Sequence, residues 1–433
     1  MKKLLSLVLV AGVSLTTSLS SNATDLIPGA KQSLPILITG GTLNTVSDGV
    51  KVNHDMLIVN GKIKRIAKTI PAPKNAKVID ASGKQVYPGL IGLATNIGMV
   101  EVGAVRATRD SSEVGRNTPE VKAHIGFNAD SEITPTVRSN GLTHVQIAPG
   151  GRGLNGQSSL MQLDGWNWQD ALVKAKTGIH LRWPNVGINK AFWETRTPEK
   201  QKEANDKAAK QFKKTFEEIK AYAKSRDKDK SQAVDLRWEA MRDVLKGEVP
   251  LYVHANDYRQ MEQAISFSVT ENIKIVLVGA RDAAMAIDLI KAHKVPVVFT
   301  SAWGRAPRSD DGMDKAFVTP SVLEANGIDY ALAIEGTWYA RNLPFAAGQT
   351  IAYGVSPATA LESVTLRPAE ILGVADTMGS LTEGKQANVV ISTGDLFDHL
   401  THKVEMLLID GREVDIDNRH KRLYKKYSAR PKN

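Results

Sequence analysis

Histidine, carboxylate and arginine side chains carry the chemistry available to this chain, because its 433 residues include no cysteine. Disulfides and thiolate metal sites are therefore excluded, and a metal ion would need His, Asp, Glu or a modified Lys. His254 ends the apolar run Leu251–His254. A lone histidine there is a candidate ligand, although a hydrogen-bonded core histidine is the commoner case. The seven histidines other than His180 and His254 form no pair at ligand spacing.

Both ends of the chain show short strand-like runs separated by tight turns. Asn60–Gly61 and Asp410–Gly411 each predict a hairpin, since both central residues of a type I′ turn need positive φ. We therefore predict a small β-domain built from both chain ends, with the rest of the chain inserted between them. The strand-like runs are Ile36–Gly40, Met56–Val59, Lys62–Ile66, Asn388–Ser392 and Val404–Ile409.

The middle of the chain alternates apolar, β-branched runs with helical patterns, as buried parallel strands with crossover helices do. A stretch of roughly 280 residues is long enough for an eight-stranded barrel. The charged segment 197–246 differs, and the spacing of Phe212, Phe216 and Ile219 predicts an amphipathic helix on the outside of the barrel. The strand-like runs are Thr143–Ala148, Pro250–His254, Ile273–Gly279, Val295–Thr300 and Tyr330–Ile334.

Several blocks of this sequence resemble those of the amidohydrolase superfamily, and most closely its imidazolonepropionase-like branch. The resemblance covers residues 35–415 and implies an α/β fold, a (β/α)8 barrel with a β-sandwich built from both chain ends. The implied boundaries are 24–87 and 379–418 for the sandwich and 88–378 for the barrel. The last block usually ends in Ala-Asp, where this chain has Ala387–Asn388. The blocks are Val86–Asn96, Arg341–Phe345, Ile351–Leu361, Thr365–Gly373 and Gly379–Asn388.

The resemblance implies metal-assisted hydrolysis of C–N bonds, but part of the metal site is replaced. The superfamily's first strand carries His-x-His, and those positions fall on Ala94 and Asn96. His254 matches the fifth-strand histidine. Glu335 lies at or beside the catalytic Asp, as a displaced acid or as an exposed loop residue, and His180 is a weaker candidate on the fourth strand. Because a catalytic zinc site needs about three protein ligands, we expect no tightly bound metal, and one divalent ion, zinc, if any.

Arginines follow the predicted sixth, seventh and eighth strands, at the end of a barrel where active sites lie. Guanidinium groups there could fork onto a carboxylate or phosphate. The alternative is that they pair with Asp282, Asp310 and Asp311. The glycine-rich segment Pro149–Gly156 lacks the Lys-Ser/Thr of a P-loop and favours a mobile active-site loop. The predicted substrate-binding group is Arg281, Trp303, Arg305, Arg308 and Arg341.

The two ends of the sequence bear on location and partners. Lys2 and Lys3, an apolar run and small residues before Ala23 predict a cleaved signal peptide over residues 1–23, and hence an exported, periplasmic protein. The net charge of +10 owes much to residues 419–433, which carry seven Lys or Arg and no acid. We expect a solvated, mobile segment there, without nucleic-acid binding, although weak attraction to an acidic membrane surface stays open.

Two hypotheses about function remain at this point. The first is an exported hydrolase of amide or cyclic-amide C–N bonds that works with a reduced metal site. The second is a non-catalytic relative that binds a small ligand, or that joins a homo-oligomer or a hetero-oligomer with an active paralogue. The replaced histidines at Ala94 and Asn96 favour the second for the isolated chain. No later stretch is apolar enough to predict a membrane span.

Overall fold

A computed structural model describes residues 26–306, 308 and 311–431, so the predicted signal peptide and Asp310 lie outside the described residues. Sixteen strands form two sheets of eight strands each in this part of the chain. The strands are β1 (Ile36–Asn44), β2 (Val50–Val59), β3 (Lys62–Ala67), β4 (Lys77–Asp80), β5 (Gln85–Pro88), β6 (Leu90–Thr95), β7 (Leu142–Ile147), β8 (Leu154–Gln162), β9 (Leu172–Arg182), β10 (Leu251–Ala255), β11 (Ile275–Gly279), β12 (Val297–Phe299), β13 (Tyr330–Leu332), β14 (Val389–Ser392), β15 (Val404–Ile409) and β16 (Arg412–Val414).

Helices lie mainly between the strands of the sheet formed by β6 to β13. Short 3₁₀ turns occur at Arg106–Thr108, Ala123–Gly126, Ala283–Met285 and Trp338–Asn342. The α-helices are α1 (Ile133–Arg138), α2 (Trp168–Ala171), α3 (Pro198–Lys228), α4 (Leu236–Leu245), α5 (Tyr258–Glu271), α6 (Ile287–His293), α7 (Lys315–Ala325), α8 (Leu343–Ala352), α9 (Pro357–Ser363), α10 (Leu366–Ile371) and α11 (Arg419–Ser428).

The barrel consists of β6 to β13 in sequence order, and a bridge between Thr95 of β6 and Gly336, in the segment after β13, nearly closes it. The predicted barrel is confirmed, with one correction: β8 runs antiparallel to both β7 and β9. The reason is the short connection between β7 and β8, since a parallel return needs a crossover of about a dozen residues or more. Part of the predicted glycine-rich loop, from Leu154 on, is therefore strand β8.

The other sheet combines both ends of the chain, in the order β16-β15-β14-β5-β1-β2-β3, with β4 beside β1. Its core joins residues from the two halves, such as Ile38 and Met56 with Val389 and Leu408. Both predicted hairpin turns have the expected positive φ, 52° at Asn60 and 50° at Asp410. The strands form one connected sheet, in which bulges in β1 let that strand pair with β4 at one end and β5 at the other.

Two helical features lie outside the barrel. The predicted amphipathic helix is α3, which buries Phe216 and Ile219 and is followed by α4. We expected the basic segment to be mobile, but most of it forms a helix, α11. Asn418 caps this helix, and its side chain accepts from the Lys421 amide. Within the described part of the chain, no helix combines the length and the apolarity needed to cross a bilayer.

Candidate functional site at the mouth of the barrel

Three of the predicted site residues meet where barrel strands end. His180 lies near the end of β9 and His254 near the end of the parallel neighbour β10, two residues further along in register. Side chains two residues apart on a strand share a face, so the imidazoles come together. His180 Nδ1 is 2.9 Å from His254 Nε2, and His254 Nδ1 is 3.5 Å from Glu335 Oε1. The structure thus forms a chain from His180 through His254 to Glu335.

Burial and the carboxylate of Glu335 determine where the protons lie in this row of three side chains. His180 is completely buried. Burial, helped by positive charge at His254, holds the pKa of His180 well below its usual range, so this ring is neutral at pH 7. The Glu335 carboxylate can only accept, which places a proton on His254 Nδ1. The proton between His180 Nδ1 and His254 Nε2 lies on one of these two nitrogens, according to the tautomers of the rings. His180 Nε2 is buried and has no hydrogen-bond partner among the described residues.

Glu335 is the member of the His180–His254–Glu335 group that reaches the solvent. It follows β13, and the bond from the Asn96 amide to the Gly336 carbonyl, 3.0 Å, holds its backbone beside β6. Its side chain is 49% exposed. Partial burial acts to raise its pKa, but the hydrogen bond and charge of His254 and the charge of Arg182 outweigh this and lower the pKa. Glu335 is therefore an ionised acceptor that faces the solvent.

Three further polar residues of the site were not predicted from the sequence. Arg182 follows His180 by two residues, is exposed, and donates through Nε to the Gly151 carbonyl at 3.3 Å. Tyr252 stacks on His180 with ring centroids 4.8 Å apart. Gln146 donates to Ser158 and Thr177 deeper in the barrel, at 3.2 and 3.1 Å. The period of two along β9 and β10 would have indicated Arg182 and Tyr252, since each shares a face with a predicted histidine.

The side chains do not fit the divalent metal of the superfamily. The two imidazole nitrogens that face each other share a hydrogen bond, so they cannot both direct a lone pair at one ion. Asn96 donates through Nδ2 to the Ala148 carbonyl at 3.1 Å, and Ala94 offers only a methyl group. Among the described residues, no group of three or more His, Asp or Glu side chains has the arrangement of a metal site.

The predicted arginine group is only partly available to a ligand. Arg308 forks onto Asp282 with two 2.9 Å hydrogen bonds and also contacts Asp311, as the pairing alternative predicted, and its role in substrate binding stays a prediction. Arg281 lies 3.6 Å from the same carboxylate. Arg341 donates to the Trp338 carbonyl within its own 3₁₀ turn. The two remaining members of the group, Trp303 and Arg305, have exposed side chains.

Comparisons with known proteins agree with this architecture. The family model described as the Amidohydrolase family matches residues 250–414. The amidohydrolase tasK of Hapsidospora irregularis is 23% identical over 390 residues, which are 79% of this chain and 38% of that protein. The chain thus corresponds to well under half of that relative's length. A dihydroorotase of Geotalea daltonii is 40% identical over 62 residues, 14% of this chain and 15% of that protein.

A solved structure shows the same fold over nearly the whole chain. An amidohydrolase from Thermotoga maritima superposes with a TM-score of 0.78 at 24% identity, over 88% of this chain and 99% of that one. The barrel with its additional sheet and the match over residues 250–414 agree with the resemblance to the amidohydrolase superfamily. The imidazolonepropionase-like branch stays a prediction.

Proposed function

We propose that this protein is a metal-depleted member of its superfamily that binds a small amide or cyclic amide at the mouth of the barrel. The hydrogen bond between His180 and His254 is the observation that carries the proposal, because it occupies one ring nitrogen of each histidine and prevents these two nitrogens from both binding one metal ion. An amide offers an N–H donor and a carbonyl acceptor. Glu335 can accept from the first, and the Arg182 guanidinium, whose charge lowers the pKa of Glu335, can donate to the second.

The other candidate is the hydrolysis of C–N bonds that the family implies, with one metal ion on His180, His254 and Glu335. The names of the relatives, amidohydrolase and dihydroorotase, favour it. It requires the imidazole pair to separate and His180 to become a ligand. A chain without such chemistry could also serve an active paralogue as a partner subunit, and the replaced positions Ala94 and Asn96 support that version of the proposal.

Metal content and a variant that restores the lost ligands distinguish the two candidates. We expect purified protein dialysed against metal-free buffer to hold only background zinc, manganese and iron by elemental analysis. The double variant Ala94→His/Asn96→His should retain zinc and unfold at a higher temperature with zinc than without it, since a ligand that binds only the folded state stabilises that state. Ala94 already has a φ of 53°, so a histidine there adds little backbone strain. Near-stoichiometric metal in the unaltered protein would overturn the proposal.

Ligand binding gives a second prediction at Glu335. Calorimetric titration with the probes succinimide, hydantoin and dihydrouracil should detect binding of at least one of them. Glu335→Gln should weaken that binding about ten- to a hundredfold, because a hydrogen bond to a charged group contributes about 1.5–3 kcal/mol. The same change at the exposed Glu248, outside the site, is the matched control and should leave the affinity unchanged. Equal affinities for both variants would place the ligand elsewhere.

We also propose that the protein is exported and processed after Ala23. The basic, apolar and small residues at the start of the sequence support this. The intact mass of the protein recovered from its native host should match a chain that begins at Thr24. Recovery of a chain that still begins at Met1, from the cytoplasmic fraction, would contradict export.

A further inference from the structure

The basic helix α11 has a defined position on the barrel. The Asn418 side chain donates to Ser139 at 2.8 Å, and the His420 ring stacks on Trp338 with centroids 5.7 Å apart. Arg422 pairs with Glu132 at 3.1 Å. These contacts involve the first turn of the helix, so they fix its direction and leave the second half projecting from the body of the protein.

The helix separates apolar from basic side chains. At 100° per residue, His420, Leu423, Tyr424 and Tyr427 fall on one side. None of the helix residues is buried, and the side chains of Tyr424 and Tyr427 are 77% and 64% exposed. The projecting half thus presents two tyrosines to solvent, and nothing in the described residues covers them. The opposite side carries Arg419, Lys421, Arg422, Lys425 and Lys426.

This arrangement matches a helix that lies in the interface of a lipid bilayer. Tyrosine is favoured at the level of the headgroups, where its ring is in apolar surroundings and its hydroxyl is hydrated. Each Lys or Arg near an anionic surface adds about 1 kcal/mol of attraction. Residues 419–431 hold six basic residues and no acid, so the charge is complementary to anionic headgroups. A nucleic-acid surface would instead interleave its aromatic and basic residues on one face.

We propose that α11 attaches this protein to bilayer surfaces that contain anionic phospholipid. The attachment is peripheral, through the two tyrosines and the surrounding cations. It is independent of the ligand proposed for the barrel, because Arg419–Ser428 shares no residue with that site.

Sedimentation of the full chain with vesicles tests this proposal. We expect binding to vesicles of phosphatidylglycerol and phosphatidylcholine, little binding to phosphatidylcholine alone, and weaker binding as salt is added. Lys425→Glu/Lys426→Glu should reduce the affinity at least about tenfold, given about 1 kcal/mol for each charge. Tyr424→Ala/Tyr427→Ala should reduce it several-fold at the same net charge. The matched control is Lys207→Glu/Lys210→Glu on the exposed side of α3, which should bind like the unaltered protein.

Specific results would overturn the proposal. Equal binding to both vesicle types would show that the anionic headgroup does not contribute to binding. An equal loss in the α3 control would show that net charge, and not α11, is responsible. Tighter binding to duplex DNA than to vesicles, with the tyrosine variant unaffected, would assign the helix to nucleic acid. All substituted residues are exposed, so a circular dichroism spectrum that matches the unaltered protein is expected and verifies folding.

Discussion

Replacing Asp164 with asparagine is expected to lower the free energy of unfolding by about 3–5 kcal/mol, because it leaves buried arginines without their counter-charge. Asp164 accepts from Arg138 Nη1 at 2.8 Å and lies 3.1 Å from Arg412 Nη1, and its side chain is almost completely buried. It also accepts from the Gly29 amide at 3.0 Å. This one carboxylate therefore ties together helix α1, strand β16 of the other sheet, and the segment before β1.

Urea unfolding followed by circular dichroism and tryptophan fluorescence measures this loss. The same substitution at Asp48, which is exposed and 3.7 Å from Lys51, is the control and should cost less than about 1 kcal/mol. Separation of the two spectroscopic transitions in Asp164→Asn alone would show that the sheet and the barrel have become uncoupled. An Asp164→Asn protein as stable as the control would mean that the buried arginines find other acceptors.

The elements of the fold were predictable because their signals are local. Hairpin turns at Asn60 and Asp410 depend on adjacent residues, and α3 depends on a spacing of three and four. The reversed strand β8 was missed although its signal was also local, since the connection after Ile147 is too short for a crossover helix.

The contacts that decide the chemistry were not predictable in the same way. The hydrogen bond between His180 and His254 depends on the register of β9 against β10, and on which nitrogen of each ring faces the other. The ion pairs of Asp164 join residues that are far apart in the sequence, which no periodicity shows. For Arg308 the sequence supplied two alternatives, substrate binding and pairing with an aspartate, and only the geometry of its two bonds to Asp282 shows the pairing.

Replacing Asp282 with asparagine is expected to cost about 3–5 kcal/mol of unfolding free energy at neutral pH. Asp282 is completely buried, accepts from Lys315 at 2.8 Å and from the Tyr258 amide at 3.2 Å, and holds the fork of Arg308. Its carboxylate joins the segments that follow β11 and β12 to the starts of α5 and α7. Without the negative charge, the Lys315 ammonium keeps Asp311 as its one counter-ion among the described residues.

The same carboxylate makes part of the stability depend on pH. Burial acts to raise the pKa of Asp282, but its hydrogen bonds with Arg308 and Lys315 and the charge of Arg281 outweigh burial and lower the pKa from 3.8 to about 2. A group whose pKa is lower in the folded state contributes stability above its unfolded pKa and loses it as the pH falls through the folded value. The contribution, roughly 2 kcal/mol, is thus complete above about pH 4 and lost toward pH 2.

Urea unfolding of the unaltered protein and of Asp282→Asn at a series of pH values tests both effects. We expect the difference in unfolding free energy to be largest at pH 7 and to shrink as the pH falls below about 4, because protonation then removes the same charge that the substitution removes. The exposed Asp288→Asn variant, on neighbouring α6, should differ from the unaltered protein by less than about 0.5 kcal/mol at pH 7. A difference for Asp282→Asn that stays constant down to pH 3 would contradict the charge-based account. The cost would then come from altered packing around the side chain, and the loops at the mouth of the barrel would not depend on this ion-pair cluster.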